Sequence, residues 1–419
     1  MTSDAAFEIP PEYRSKLRPV KPKDTRSDRE ILDSLSQNIP VSSEKNIWAF
    51  WHSGLEGLPN WCRRNLIDWH RICGSSWTIR LLDTIPGSPN NALQWVDADV
   101  LPAAFVKSNM EGPYVGQHSA DLLRAATLWK HGGVWMDVGV ILTRDLDRVC
   151  WDQLADESNS YEMCSAYVDG VTVANHFVAG RKGSEFLKKW SVELISLPLA
   201  KLTLLRQQLF SHLWSARTSS AGLVNHPLLA FRGEMLPSAA MARYNFPMKL
   251  DKMPTIMDYT AQVSAYARVA VLEEPGGGFN GREYWKDKIL KFDALDECWA
   301  AEAEIGFDGK DLFDLLATER METDARPVST DYQLAEKVVW RLLTSTSMQK
   351  VTRGHDLIEG LALGSLWDMP ENLGKDAEPG TFAELLRYGS VHFEQTREEI
   401  EYVDPESPEM VLSKGLLEP

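Results

Sequence analysis

The chain has 419 residues, of which 44% are hydrophobic and 25% charged, a balance typical of a soluble globular protein with a sizeable core. Its formal charge of −16 repels nucleic acid, and a phosphate-bearing ligand needs local positive charge to bind. The five cysteines are odd in number and lack C-x-x-C spacing, so neither a disulfide framework nor a zinc ribbon is expected. Because no leader and no run of about 20 apolar residues is found, we expect no membrane span and a cytoplasmic location.

The first part of the chain predicts a strand–helix–strand unit. Residues 1–45 are charged and contain several prolines, which indicates an N-terminal extension on the surface. A buried strand is predicted over 46–51, an amphipathic helix over 59–73 and a second strand over 77–82. This order is typical of parallel sheets with covering helices.

The middle of the chain continues this alternation. Residues 119–131 predict a helix that is ended by two glycines, and residues 134–142 predict a nearly continuous apolar strand. Such a strand indicates a central position that is covered on both faces. Further strands are predicted over 161–168 and near Phe177, and a helix over 184–195. We therefore expect an α/β protein with a mostly parallel central sheet.

After about residue 200 the pattern is largely helical, with a clear amphipathic helix over 331–343. We accordingly divide the chain after the N-terminal extension into a core over 46–260, a mostly helical region over 261–395 and an acidic tail over 396–419.

A glycine-rich segment at 276–281 formally matches G-x-G-x-x-G. Pro275 precedes it, and no clear second strand with a ribose-binding acid follows it. The segment is therefore expected to be a loop and not a dinucleotide site.

The most informative residue is Asp137, an acid inside the strand predicted over 134–142. An ionised carboxylate in a buried strand is costly unless a cation or several donors meet it. Because side chains alternate along a strand, Asp137 and Gly139 share one face, and Gly139 is expected to leave space beside the carboxylate. Asp137 therefore indicates a crevice at the edge of the sheet where a hard cation or a polar ligand binds.

Two further polar residues precede this strand. Asp121 and Arg124 lie three positions apart on the predicted helix and share an edge of it. The pattern S-x-D-x-x-R at 119–124, followed by Gly-Gly-x-aromatic-x-Asp at 132–137, resembles the DXD-type glycosyltransferases. Within that group the chain is similar to family 32 and to the related capsular polysaccharide synthesis proteins, as a fungal-type member.

The resemblance covers about 46–190 and implies a GT-A-like, Rossmann-type α/β sandwich, completed on the acceptor side by 261–395. It implies transfer of a hexose or N-acetylhexosamine from a nucleotide sugar, in the first place a UDP-sugar, to an acceptor hydroxyl with retention of configuration. Because no membrane anchor is found, the expected acceptor is a small lipophilic metabolite. A polysaccharide or glycolipid acceptor is the alternative.

The resemblance also implies roles for single residues. Asp121 is expected to bind hydroxyls of the donor ribose or sugar, and Arg124 the donor sugar or its phosphates. Asp137 is expected to reach a divalent metal, Mn²⁺ or Mg²⁺. Further donor-binding side chains are expected at Trp48, Phe50, Trp51, Asn175 and Trp367.

One position departs from the family pattern, because the second acid of the DXD motif falls at Gly139. Three outcomes stay open: a weaker metal site helped by another residue, metal-independent transfer, or a catalytically silent protein that binds nucleotide sugars. His355 is the candidate that completes a metal site with Asp137.

Overall fold

The computed structural model describes residues 7–168, 172–196, 249–321, 329–354, 356–405 and 412–413. Its strands, labelled in chain order, are β1 Leu17–Pro19, β2 Asn46–Phe50, β3 Thr78–Leu82, β4 Gly133–Met136, β5 Val140–Leu142, β6 Met163–Val168, β7 Thr172–Gly180, β8 Leu272–Glu273, β9 Ile289–Asp293, β10 Met348–Lys350, β11 Phe393–Gln395 and β12 Leu412–Ser413. Its α-helices are α1 Asp28–Leu35, α2 Asn60–Cys73, α3 Ala103–Val106, α4 Val115–His131, α5 Asp152–Ala155, α6 Glu185–Ser196, α7 Met253–Tyr259, α8 Ala261–Val271, α9 Gly281–Lys288, α10 Ala294–Glu297, α11 Ala300–Glu304, α12 Gly309–Leu316, α13 Thr330–Ser345, α14 Leu363–Trp367 and α15 Phe382–His392.

Six strands form the central sheet in the order β3-β2-β4-β7-β6-β9. Strands β3, β2 and β4 are parallel, and β7 runs antiparallel to its neighbours β4 and β6. Strand β9 runs parallel to β6. Five of these six strands therefore share one direction, which confirms the predicted mostly parallel α/β sheet.

Helices cover both faces of this sheet. On one face α4, α6 and α8 pack together over a buried cluster that includes Trp48, Trp135 and Trp190. On the other face α2, α13 and α15 enclose a cluster that includes Trp69 and Trp340. From α9 onward the described chain is mostly helical, as expected. Among the described residues no helix is both long and apolar enough to cross a membrane.

Proline and glycine residues set the ends of helices α2 and α4. Pro59 stands at the N-cap of α2, where its missing N–H leaves no donor unsatisfied. Gly74 ends α2 with φ of 70°, and Gly132 ends α4 with φ of 71°. Glycine reaches this left-handed backbone without a steric penalty, so both helices end where the sequence places a glycine.

The apolar stretch 134–142 is not one strand, and this part of the prediction was wrong. Strand β4 ends at Met136, and a turn follows in which the Val140 N–H donates to the Asp137 carbonyl at 3.1 Å. Strand β5 then leaves the sheet and pairs antiparallel with β10. Both short strands are buried, so hydrophobicity alone gave no sign of the break.

The predicted boundaries at 45 and 260 separate segments that pack together. Strand β1 pairs with β11, and Ile31 and Leu35 of α1 are buried, so residues 7–45 are part of the folded body. Strand β9 adds to the sheet beyond residue 260. In the acidic tail Ile400 is buried as well. Such short elements give too few periods for a sequence pattern to reveal them.

Candidate active site

Asp137 lies at the carboxyl end of β4, at the edge of the sheet where the parallel strand β2 also ends. Its backbone N–H donates to the carbonyl of His176 on β7 at 3.0 Å. The next residue is held from α2, because the side-chain amide of Asn65 donates to the Val138 carbonyl at 2.7 Å. The carboxylate is therefore presented on a fixed turn at the edge where α/β sheets usually bind ligands.

Arg124 connects Asp137 to Asp121. Its Nη1 donates to Oδ1 of Asp121 at 2.6 Å, and its Nη2 donates to Oδ1 of Asp137 at 3.3 Å. Nη1 also donates to Gln262 of α8, whose side chain donates to the Asp121 carbonyl. The guanidinium lies over the Trp135 ring, 5.2 Å from its centroid. Because Arg124 is buried, this planar group fixes the two carboxylates relative to each other.

Asn175 of β7 belongs to the same cluster. Its amide donates to Oε1 of Gln262 at 2.9 Å and to Oδ1 of Asp121 at 3.4 Å. The structure therefore brings together Asp121, Arg124, Asp137 and Asn175, which the sequence singled out separately. Their roles in binding a donor stay predictions.

Lys350 of β10 approaches Asp137 on its other oxygen. Its Nζ donates to Oδ2 of Asp137 at 2.7 Å. Burial raises the pKa of the Asp137 carboxyl, but the charges of Lys350 and Arg124 outweigh it and hold the pKa well below its usual value. The Asp137 side chain is 28% exposed, whereas those of Lys350 and Arg124 are 9% and 3% exposed. The edge of the sheet thus carries an ionised, accessible carboxylate between two buried cations.

An aromatic side chain lies close to the two acids. Burial raises the pKa of Tyr259 on α7, and the negative charges of Asp121 and Asp137 raise it further. The Tyr259 ring contacts Tyr114 edge-on, with 5.2 Å between the centroids. Burial also raises the pKa of Asp121, although Arg124 opposes this shift. The carboxylates therefore sit in a partly desolvated setting, in which their charges interact more strongly than in water.

The three aromatic residues predicted to flank a base lie in different places. Trp48 is completely buried and its indole N–H donates to the Gly132 carbonyl at 2.9 Å, so it has no surface for a ligand. This corrects the prediction for Trp48. Phe50 and Trp51 lie at the carboxyl end of β2, at the same edge as Asp137. Phe50 is 7% exposed, and Trp51 is half-buried with its indole N–H donated to the Gly57 carbonyl.

Trp367 lies on the wall of a separate cavity of about 370 Å³. Its ring packs against Trp61 with 5.6 Å between the centroids, and Trp61 donates its indole N–H to Asp368 at 2.7 Å. None of these described contacts joins Trp367 to Asp121, Arg124 or Asp137. The described structure thus shows Trp367 as a packing residue beside a cavity and not in contact with the acid cluster.

The surroundings of Asp137 do not fit a divalent metal ion. One oxygen faces Arg124 and the other faces Lys350, so both already meet a cation. A Cβ on Gly139 would lie 2.5 Å from Oγ1 of Thr352. The space that Gly139 was expected to leave open is therefore filled, which corrects that expectation.

No group of three or more metal-ligating side chains occurs among the residues that the structure describes. His355, the predicted partner of Asp137 in holding Mn²⁺ or Mg²⁺, lies outside the described residues. The predicted metal pair thus stays a prediction, and the described half of it is already neutralised by two protein cations.

Two residues that contact Asp121, Arg124 or Asp137 were missed by sequence reasoning. Gln262 is fully buried on α8. A glutamine on the apolar face of a predicted helix indicates a buried hydrogen-bond partner, and this signal could have identified it. Lys350 ends a buried strand, and its partner Asp137 is 213 residues away in the chain. Only the pairing of β10 with β5 places this lysine, and pairing between such short strands cannot be read from one sequence.

Acids and cations gathered at the carboxyl edge of parallel strands in an α/β sheet are the arrangement in which enzymes of this fold class commonly bind charged ligands. Residues 17–197 match the family model of capsular polysaccharide synthesis proteins. A probable glycosyltransferase of Fusarium pseudograminearum is 45% identical over 98% of this chain and 99% of that protein. An O-glycosyltransferase of Annulohypoxylon truncatum is 37% identical over 100% of this chain and 96% of that protein.

An O-glycosyltransferase of Phomopsis amygdali is 38% identical over 90% of each chain. The chain therefore belongs to the family of fungal glycosyltransferases that these proteins represent, and its activity is glycosyl transfer. Among solved structures, the PaToxG glycosyltransferase has a TM-score of 0.25 at 13% identity, covering 57% of this chain and 91% of that one. This structural likeness is too low to carry an argument.

Proposed function

We propose that the chain transfers a hexose or N-acetylhexosamine from a nucleotide sugar, in the first place a UDP-sugar, to an acceptor hydroxyl. The observation that carries the proposal is the ionised, accessible Asp137 at the carboxyl edge of the sheet, joined to Asp121 through Arg124. In this proposal the site is a donor site of GT-A type. Asp121 binds donor hydroxyls, and Arg124 faces the donor sugar or its phosphates.

The position proposed for the base is the edge that β2 and β4 share. Trp51 directly follows β2 and is half-buried, so its ring is the aromatic surface that we propose for the base. Phe50 and Trp48 belong to the buried cluster on one face of the sheet, whereas Trp51 packs against the cluster on the other face. Stacking of a base on an aromatic side chain contributes about 1–3 kcal/mol, enough to orient a uridine.

The acceptor is proposed from the relatives, two of which are named O-glycosyltransferases. That name supports a hydroxyl as the accepting group. We propose a small lipophilic metabolite as acceptor, transfer with retention of configuration and a cytoplasmic location. A polysaccharide or glycolipid acceptor is the alternative that the name of the matching family model favours.

The test is donor hydrolysis, in which water replaces the unidentified acceptor. The chain is incubated with UDP-glucose, UDP-N-acetylglucosamine and GDP-mannose, and release of the nucleoside diphosphate is measured. We expect hydrolysis of a UDP-sugar that is lost in Asp137→Asn and kept in Asp314→Asn, a carboxylate that is 55% exposed in a surface ion pair. Full activity of Asp137→Asn, or neither binding nor hydrolysis of any donor, would contradict the proposal.

A catalytically silent nucleotide-sugar-binding protein is the second candidate. It is favoured by the glycine at position 139 and by the two cations that already neutralise Asp137. Tight binding of a UDP-sugar without hydrolysis, measured on the same samples, would favour this candidate over the transferase.

A further inference from the structure

The strand that carries Lys350 is anchored on both sides. It pairs antiparallel with β5, which places Lys350 opposite Val140, three residues after Asp137. The Lys350 N–H donates to the Cys298 carbonyl at 2.8 Å, and the next N–H, that of Val351, donates to the Gly139 carbonyl at 3.0 Å. The lysine backbone is therefore fixed on the same turn that presents the Asp137 carboxylate.

The lysine side chain has hydrogen-bonding capacity left over. An ammonium group has three N–H donors, and the bond to Asp137 Oδ2 uses one of them. Among the described residues, the other two have no hydrogen-bond partner. Asp137 thus holds the ammonium in place, and two donors remain available for a ligand.

The charges of this pair match those of a metal site. A DXD motif with a divalent cation combines two carboxylates with two positive charges. Here one acid is missing at Gly139, and the monovalent Lys350 meets the remaining carboxylate of Asp137. The net charge is zero in both arrangements, because the lost acid and the gained lysine together make up for the two positive charges of the metal ion. Thr352 fills the space above Gly139, so an acid at this position would require Thr352 to move.

We propose that Lys350 takes over the charge that a divalent cation supplies, so that the ammonium group binds the donor diphosphate and the transfer needs no metal ion. This inference rests on the proposed function of the Asp137 site. A compact ammonium on a flexible stem can reach a phosphate oxygen while it stays close to Asp137. It then stabilises the negative charge that develops on the leaving nucleoside diphosphate, as a metal ion does in related chemistry.

The test is calorimetric titration of UDP into the full chain, once in EDTA and once in Mn²⁺. We expect the same Kd within about twofold in both, because the positive charge belongs to the protein. Lys350→Met is expected to weaken UDP binding at least about tenfold in both buffers, a typical loss for a charge-assisted hydrogen bond. Lys350→Arg is expected to recover part of the affinity.

Lys310→Met serves as the matched control, because Lys310 is 62% exposed in a surface ion pair. UDP binding by the wild type that disappears in EDTA and returns with Mn²⁺ would overturn the role of Lys350 and leave the proposed function standing. Unchanged binding by Lys350→Met would overturn it as well. Absence of UDP binding in both buffers, together with no donor hydrolysis, would instead reject the proposed function itself. The comparison on the wild type does not depend on the folding of any variant.

Discussion

Thr352 lies directly over Gly139, and a Cβ at position 139 would come within 2.5 Å of its Oγ1 and 2.8 Å of its Cγ2. This contact couples the turn after Asp137 to the segment that follows Lys350. It also gives a physical reason for a glycine at the second position after Asp137.

The first prediction follows from this contact. Gly139→Ala is expected to lower the free energy of unfolding by about 1–3 kcal/mol, because the added methyl group overpacks a buried turn. Adding Thr352→Ala removes the two nearest atoms, so that the Cβ at position 352, 3.2 Å from the added methyl group, becomes its nearest neighbour on that residue. The double variant is therefore expected to recover part of the loss, with a coupling energy of about 0.5–3 kcal/mol in urea unfolding. Strict additivity would contradict this packing.

A second prediction concerns the arginine that connects the two acids. Lysine at position 124 keeps the charge but cannot reach Asp121, Gln262 and Asp137 together as the guanidinium does. We expect Arg124→Lys to lower stability by about 1–3 kcal/mol and to reduce donor hydrolysis roughly a hundredfold. Arg29→Lys is the control, because Arg29 is 91% exposed and should change neither quantity. Wild-type hydrolysis by Arg124→Lys would show that the cluster does not position the donor.

Two tryptophans separate packing from donor binding. Trp48→Phe leaves the buried Gly132 carbonyl without its donor, so we expect a stability loss of about 1–3 kcal/mol and an unchanged KM for the donor. Trp51→Ala is expected to raise that KM about tenfold through loss of base stacking. Urea unfolding and donor kinetics on both variants measure these effects. The reverse pattern, a raised KM in Trp48→Phe alone, would refute the assignment.

The stability of the chain is also expected to depend on Glu302. This residue is buried on α11, 4.0 Å from the Arg353 guanidinium, and burial raises its pKa to about 7 against the pull of Arg353. The unfolded chain releases this proton near the ordinary value of 4.5, whereas the folded chain keeps it up to about 7. The stability that protonated Glu302 contributes is therefore fully present below pH 4.5 and is lost as the pH rises from 4.5 to about 7.

Glu302→Gln removes this titration. The loss in the free energy of unfolding as the pH rises should therefore be smaller in the variant, by at most about 3 kcal/mol. Urea unfolding of wild type and variant between about pH 5 and about pH 8 measures the difference. Parallel curves for the two proteins would show that Glu302 does not titrate in this range.

Much of the sheet and four of the six residues at the site, Asp121, Arg124, Asp137 and Asn175, could be predicted from the sequence. Helix α2 and helix α4 have clear apolar stripes and end at glycines, so their positions follow from periodicity and backbone preference. Asp137 was recognisable because a charge in an apolar run needs a partner. Asp121 and Arg124 were recognisable only through the resemblance of S-x-D-x-x-R to the glycosyltransferase pattern, because an Asp/Arg pair three positions apart on a helix is common on protein surfaces.

The rest depends on contacts between distant segments. Lys350 meets Asp137 only because β10 pairs with β5, which left the sheet after a turn that hydrophobicity does not reveal. Trp48 was misassigned for a related reason: a tryptophan in an apolar strand looks the same whether it faces a ligand or the core. The face is decided by the partner layer, here the cluster under α4 and α6.

The most direct measurement is a crystal structure of the chain with bound UDP. We expect the diphosphate within hydrogen-bond distance of Arg124 or Lys350, beside Asp137, with the uracil ring against Trp51. UDP bound in the cavity between Trp61 and Trp367, with the Asp137 edge untouched, would contradict it.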